Sequence, residues 1–145
     1  MRRAQLEHIR EYLKGYRHKL FCGDFNFDAT HHYDPNDDRP LENPWMVQHL
    51  NDYRDLWSQL HPNVLGYTFD TRANTMLANK RLEQMRYDRI LLSSPSWSAS
   101  TINMICTQQF GRAMPGEIGD HGMIISPTPV YPSDHFGLAT ILQFN

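Results

Sequence analysis

Two short clusters near opposite ends of this 145-residue chain hold the side chains best suited to chemistry: Gly23-Asp24-Phe25-Asn26 and Ser133-Asp134-His135. An ionised Asp24 is an acceptor-only group that can orient or deprotonate a water, whereas Asn26 can donate as well as accept. In an extended segment positions 24 and 26 point to the same side, so both can address one substrate. His135 can donate to an anionic oxygen or exchange a proton, and a nearby carboxylate would fix its tautomer. Asp134 faces the other way if the segment is extended, which directs the search to Asp88 in Arg86-Tyr87-Asp88-Arg89-Ile90. A carboxylate, an amide and an Asp-His pair can together activate water and stabilise a phosphate oxygen, which is phosphoester-hydrolysis chemistry. The competing readings are structural: a polar turn at a strand end for the first cluster, and an internal ion pair of Asp88 with Arg86 or Arg89.

Each cluster adjoins an apolar, strand-like run, so both can emerge at one sheet edge. Ala4, Leu6, Ile9 and Leu13 form a helical stripe, with Gly15 as its stop. Leu20-Phe21-Cys22 reads as a short buried strand leading into Asp24. Residues 28–44, rich in Asp, Asn, His and Pro, read as an irregular loop. A broken helical pattern runs from Trp45 to Leu60, and Gly66-Tyr67-Thr68-Phe69 restarts the sheet. Tyr87–Leu92 is the strongest strand, followed by a β-rich stretch from Ser100 to Phe110. Residues 111–133 read as a long loop, and His135–Phe144 closes the chain as a strand.

Size and composition suit one domain, residues 1–145, with 40% hydrophobic content and no repeats. No apolar run approaches membrane-span length and the basic, amphipathic start lacks a secretory h-region, so an intracellular protein, nuclear or cytoplasmic, is expected. Cys22 and Cys106 suit reduced thiols better than a disulfide framework. A formal net charge of -2 opposes nonspecific nucleic-acid binding through overall charge, leaving local patches: Arg2, Arg3 and Arg10, and Lys80, Arg81, Arg86 and Arg89. Two further polar groups are assigned to loops, Asp120-His121 between glycines and His31-His32 with Asp34, Asp37 and Asp38, because a metal site needs fixed geometry and supporting contacts. Trp45, Trp57 and Trp97 are assigned to the core or its edges.

Five blocks in order, Gly23-Asp24-Phe25-Asn26, Asp55-Leu56-Trp57, Gly66-Tyr67-Thr68-Phe69-Asp70-Thr71, Arg86-Tyr87-Asp88-Arg89-Ile90 and Ser133-Asp134-His135-Phe136-Gly137, resemble the endonuclease/exonuclease/phosphatase superfamily. The third, fourth and fifth look most like its tyrosyl-DNA phosphodiesterase 2 branch. The resemblance implies an α/β fold: half of a four-layer αββα sandwich, with a mostly antiparallel sheet and helices on one face. It implies a magnesium-dependent phosphodiesterase acting on DNA 5′ ends, with Mn²⁺ as a substitute metal. Asp24 would position the water, Asn26 contact the phosphate, His135 stabilise developing charge and Asp88 support His135. Asp134 would lie at the magnesium or its water shell. Thr68, Phe69 and Arg86 would contact substrate, Phe69 standing where the branch commonly has Trp.

The family's other half supplies an early Asn and the principal metal-binding Glu. This chain resembles the C-terminal half and carries no substitute motif, so the resemblance implies a complementing N-terminal half as partner, weak metal affinity alone and an exposed apolar sheet face. The alternatives are a phosphatase or nuclease of the same superfamily acting on another phosphoester, and a noncatalytic interaction module.

Overall fold

The computed structural model describes residues 2–31, 33–34, 37–40, 42–77, 81–112 and 129–145. Helix α1 (Arg2–Leu13) leads into β1 (Lys19–Asp24), and a short hairpin, β2 (Tyr33–Asp34) with β3 (Asp37–Pro40), precedes α2 (Asn43–His49). Then come β4 (Arg54–Asp55), α3 (Leu56–Leu60) and β5 (Phe69–Asp70), which pairs with β6 (Gln84–Met85) across a 3₁₀ turn at Thr75–Leu77. The long strands follow: β7 (Asp88–Ser93), β8 (Trp97–Ile105) and, after the small pair β9 (Gly111–Arg112) and β10 (Pro129–Val130), β11 (Gly137–Phe144).

All strand pairings among the described residues are antiparallel. β7 lies between β1 and β4, and β8 pairs with β11 from Trp97↔Phe144 to Ile105↔Gly137 with one register shift at Ile141/Leu142. β7 is central because its apolar run is buried on both sides. Leu91 joins Leu6, Phe27, Met46 and Leu50, the cluster that fastens α1 and α2 to the sheet. Leu92 joins Leu56, Trp57, Ala99 and Ile102, which couples α3 to β8. Alternation along the strand therefore ties both clusters to one backbone.

Three expectations need correction. The loop expected at 28–44 contains a hairpin and the start of α2 at Asn43, whose buried amide donates to the carbonyls of Asp28 and His31. The helical pattern at 45–60 is two helices split by β4, because Arg54 and Asp55 pair with Leu92 and Leu91. The segment at 66–69 does not join the main sheet, since Phe69 and Asp70 pair with β6. Residues 113–128 of the expected long loop, Asp120 and His121 included, lie outside the described residues, as do Lys80, His32 and the side chains of Asp34, Asp37 and Asp38.

Trp57 is core, Trp45 packs at the edge of the first cluster, and Trp97 stands 37% exposed against Phe144. Both cysteines are free and exposed. Leu20 on β1, Ile105 on β8, and Ile141 and Phe144 on β11 leave apolar side chains exposed. Among the described residues no helix is long and apolar enough to cross a membrane.

Candidate active site

The last residue of β1 and the first of β7 are direct partners, Asp24↔Asp88. Antiparallel pairing thereby sets two carboxylates at one sheet end, where His135 arrives just before β11. His135 Nδ1 lies 2.8 Å from Asp88 Oδ2, and each of the two side chains is 23% exposed. The carboxylate accepts from Nδ1–H, which leaves Nε2 as the imidazole's second, chemically available nitrogen. Asp24, Asp88 and His135 offer ligand atoms that all lie within 4.8 Å of one another.

The turn after β1 is built by the first cluster. Gly23 takes φ +144°, open to glycine and strained for other residues, and Asn26 sits at φ +53° with its N–H donating to Asp24 Oδ1 at 2.8 Å. The Phe25 N–H donates to the Tyr87 carbonyl at 2.9 Å and the Ala29 N–H to the Arg86 carbonyl at 3.2 Å, so the turn is laced to the start of β7. Asp28 completes the lacing by accepting the Arg86 N–H at 2.7 Å. Burial raises the Asp28 pKa, but the Thr30 hydroxyl and the amides of Arg86, His31 and Thr30 outweigh it and hold the carboxyl below its ordinary value.

Around His135 the rings of Phe69 and Tyr87 stand 5.1 and 6.0 Å away, centroid to centroid. The Tyr87 hydroxyl donates to Glu83 at 2.5 Å; burial first, and then Glu83, push the phenol well above its usual range. A cleft of about 850 Å³ between α1 and β1, walled by Leu6, Ile9, Phe21 and Phe25, reaches Asp24 and Asn26.

Two of the residues expected to contact substrate, Arg86 and Thr68, are buried. Arg86 is 3% exposed, with its guanidinium donating to both Asp55 oxygens, the Ser58 hydroxyl and the Leu65 carbonyl, so it is an internal strut with no surface for a substrate. Thr68 is fully buried and accepts the N–H groups of Tyr87 and Asp88. Asp134 is exposed, accepts the Ser133 hydroxyl and is not among the three residues whose ligand atoms lie within 4.8 Å of one another. The internal ion pair weighed for Asp88 belongs to Asp55, which also binds Arg89 at 2.9 Å and leaves Asp88 to His135.

Asp55, Asp28 and Asn74 had been given no role from sequence. Asn74 is fully buried and donates to the carbonyls of Ser133 and Asp134 at 3.0 and 3.3 Å, gripping the turn that carries His135. Only Asp55 carried a signal, as the opening residue of a recognised block.

Two carboxylates beside an imidazole suit a hard cation that keeps several waters, the habit of Mg²⁺. Each carboxylate is oriented by one hydrogen bond, Asp24 Oδ1 accepting from the Asn26 N–H and Asp88 Oδ2 from the His135 ring, and keeps lone pairs that could meet a cation.

In class, this is an α/β fold that matches about half of a larger solved structure. Specifically, the chain is similar to TDP2 structures, and it spans about half their length. D. rerio TDP2 complexed with a single-strand DNA product matches at TM-score 0.63 and 23% identity, over 98% of this chain and 49% of that one. A D. rerio TDP2 humanized by 14 mutations gives 0.59 and 21%, over 98% and 48%. A truncated Caenorhabditis elegans TDP2 gives 0.55 and 21%, over 99% and 48%. No protein-family model matches the sequence, and no curated protein matches it.

Proposed function

We propose that this chain carries the catalytic rim of a magnesium-dependent phosphodiesterase that acts on DNA 5′ ends, of the 5′-tyrosyl-DNA type. The observation that carries the reading is the Asp88–His135 pair at 2.8 Å with Asp24 beside it, on one rim of a TDP2-like fold. Asp24 orients the attacking water and accepts its proton. Asn26 holds a phosphate oxygen, while His135, kept in one tautomer by Asp88, donates from Nε2 to the charge developing on the phosphorus-bound oxygens. Magnesium, bound through Asp24 or Asp88 with Asp134 acting through its water shell, would supply Lewis-acid polarisation of the phosphate.

Phe69 and Tyr87 offer a ring surface beside His135 on which a terminal base can stack. The match to a structure holding a single-strand DNA product favours DNA among phosphoesters. Burial of Arg86 and Arg89 removes two cations from the expected groove, which favours a short contact at the strand end over a long electrostatic footprint. A second sheet against the exposed apolar face would complete the four-layer sandwich, and the complementing half would add metal ligands. The compartment that fits this substrate is intracellular.

The test is Mg²⁺-dependent cleavage of a 5′-phosphotyrosyl oligonucleotide by the chain with a complementing half, with phosphoinositides and abasic DNA as competitors. Cleavage of the tyrosyl end, weakened by Phe69→Ala, is the expected result. Activity confined to phosphoinositides would overturn the DNA reading and leave phosphoester hydrolysis standing.

A further inference from the structure

We propose that Thr68 is a positioning residue for the Asp88–His135 pair, holding the two side chains in register from beneath. Its catalytic meaning rests on the phosphodiesterase reading above. Its hydroxyl oxygen accepts the N–H of Tyr87 at 3.1 Å and of Asp88 at 3.0 Å, and its carbonyl accepts the N–H of Phe136 at 2.7 Å. One residue thus binds the backbone of Asp88 and of the residue after His135, the two segments that must meet for the 2.8 Å contact to form.

The polar side chain itself argues for this role. Thr68 is fully buried at the entrance to β5, where a valine would meet every demand of strand propensity and packing without a polar group to satisfy. The hydroxyl oxygen has two lone pairs, and both donors aimed at it come from consecutive peptides at the start of β7. The Arg86 N–H just before them goes to Asp28, so three successive amides leading into Asp88 are held by side chains. On the far side, Asn74 holds the carbonyls of Ser133 and Asp134 while Thr68 holds the amide of Phe136, so His135 is fixed before and after. Thr68 is the member of this frame that touches both partners' segments.

The experiment reads the His135 ring directly and needs no turnover. Nitrogen-15 NMR of the purified chain reports which ring nitrogen carries the proton. Wild type and Thr68→Ser should show the Nδ1–H tautomer with a slowly exchanging Nδ1 proton. Thr68→Val, which keeps the shape and removes the acceptor, should lose that signature, as the control Asp88→Asn does, while the His61 signals and the circular dichroism stay unchanged. A folded Thr68→Val that keeps the wild-type His135 signature overturns the proposal.

Should Thr68→Val fail to fold, Thr68→Ser decides, since loss of the signature with the hydroxyl present is equally fatal. So is rapid hydrogen exchange at the Tyr87 and Asp88 amides of the wild type. In the completed enzyme the valine variant should lose kcat by about 10²-fold with KM unchanged, the scale of a small misplacement of a catalytic group. Absence of any turnover in the wild type would sink the phosphodiesterase reading and leave the NMR result intact.

Discussion

Replacing Asp55 by asparagine should cost this chain more stability than any change at the rim. The Asp55 side chain is 12% exposed, and it pairs with two guanidinium groups, Arg86 at 3% and Arg89 at 9% exposure. Its Oδ2 accepts from both arginines at 2.9 Å, while Oδ1 accepts the N–H groups of Trp57 and Ser58 and so caps α3. Asparagine can keep the cap oxygen, but it turns an NH₂ toward two donors and leaves two buried charges unpaired. Breaking a buried pair by removing one partner costs about 3–5 kcal/mol. A whole domain has only about 5–15 kcal/mol in hand.

At a urea slope of about 2 kcal/mol/M, a loss of about 4 kcal/mol moves the unfolding midpoint down by about 2 M. Trp57 fluorescence, beside the lost pair, reads it. Asp55→Ala should fall about 1 kcal/mol further, because the cap goes as well. A shift under about 0.5 M for Asp55→Asn at an unchanged slope would refute the reasoning.

The pH dependence has a definite sign. Burial raises the Asp55 pKa, but Arg86 and Arg89 more than offset it, so the folded carboxyl lies below its ordinary value. Its contribution is therefore fully present above the unfolded value of about 3.9 and is lost as pH falls through the folded one. The wild type should weaken below about pH 4, with Asp28 acting in the same direction, and Asp55→Asn should show a flatter acid limb.

Asp24→Asn and His135→Ala, assayed on a phosphodiester with the complementing half present, should each lose about 10²–10⁴-fold in rate while their unfolding curves stay near wild type. Near-normal turnover by either would reject its assignment. Gly66→Ala places a Cβ 2.2 Å from the Trp57 ring at φ +67°, so calorimetry should show destabilisation of at least about 1–3 kcal/mol, and an unchanged melting temperature would contradict the packing. Ile141 and Phe144 are 62% and 69% exposed on β11, so the isolated chain should self-associate in sedimentation velocity and Ile141→Lys should reduce it.

What the sequence revealed and what it hid divide along physical lines. β7 was legible because Ile90, Leu91 and Leu92 form a run with burial on both faces. α1 was legible through its apolar spacing, ended by Gly15 at φ +92°. Asp24, Asp88 and His135 could be singled out because polar groups that adjoin apolar strands must have somewhere to go. Arg86 misled for the opposite reason. An arginine beside a strand reads as a surface cation until a buried acid is found for it, and Asp55 lies 31 positions away in sequence. Thr68 and Asn74 were hidden because their partners are backbone groups of distant segments, which leave no trace in residue type.

The rim divides its work between rigidity and availability. Asp88 and His135 stand part-exposed and Asp24 exposed, while the buried Thr68, Asn74 and Asp28 hold the backbone that carries them. Each rim carboxylate has one oxygen held inside the protein, Asp24 by Asn26 and Asp88 by His135, and that bond fixes the carboxylate's direction. The remaining lone pairs of each carboxylate are left to meet a cation, a water or a proton. Mg²⁺ prefers an octahedral set of oxygens and is usually held through one or two carboxylates together with phosphate oxygens and waters, so on the proposed reading this group would hold it weakly until a phosphate is present. On the proposed reading, a metal held here would draw its remaining oxygens from a substrate phosphate or from a second polypeptide segment.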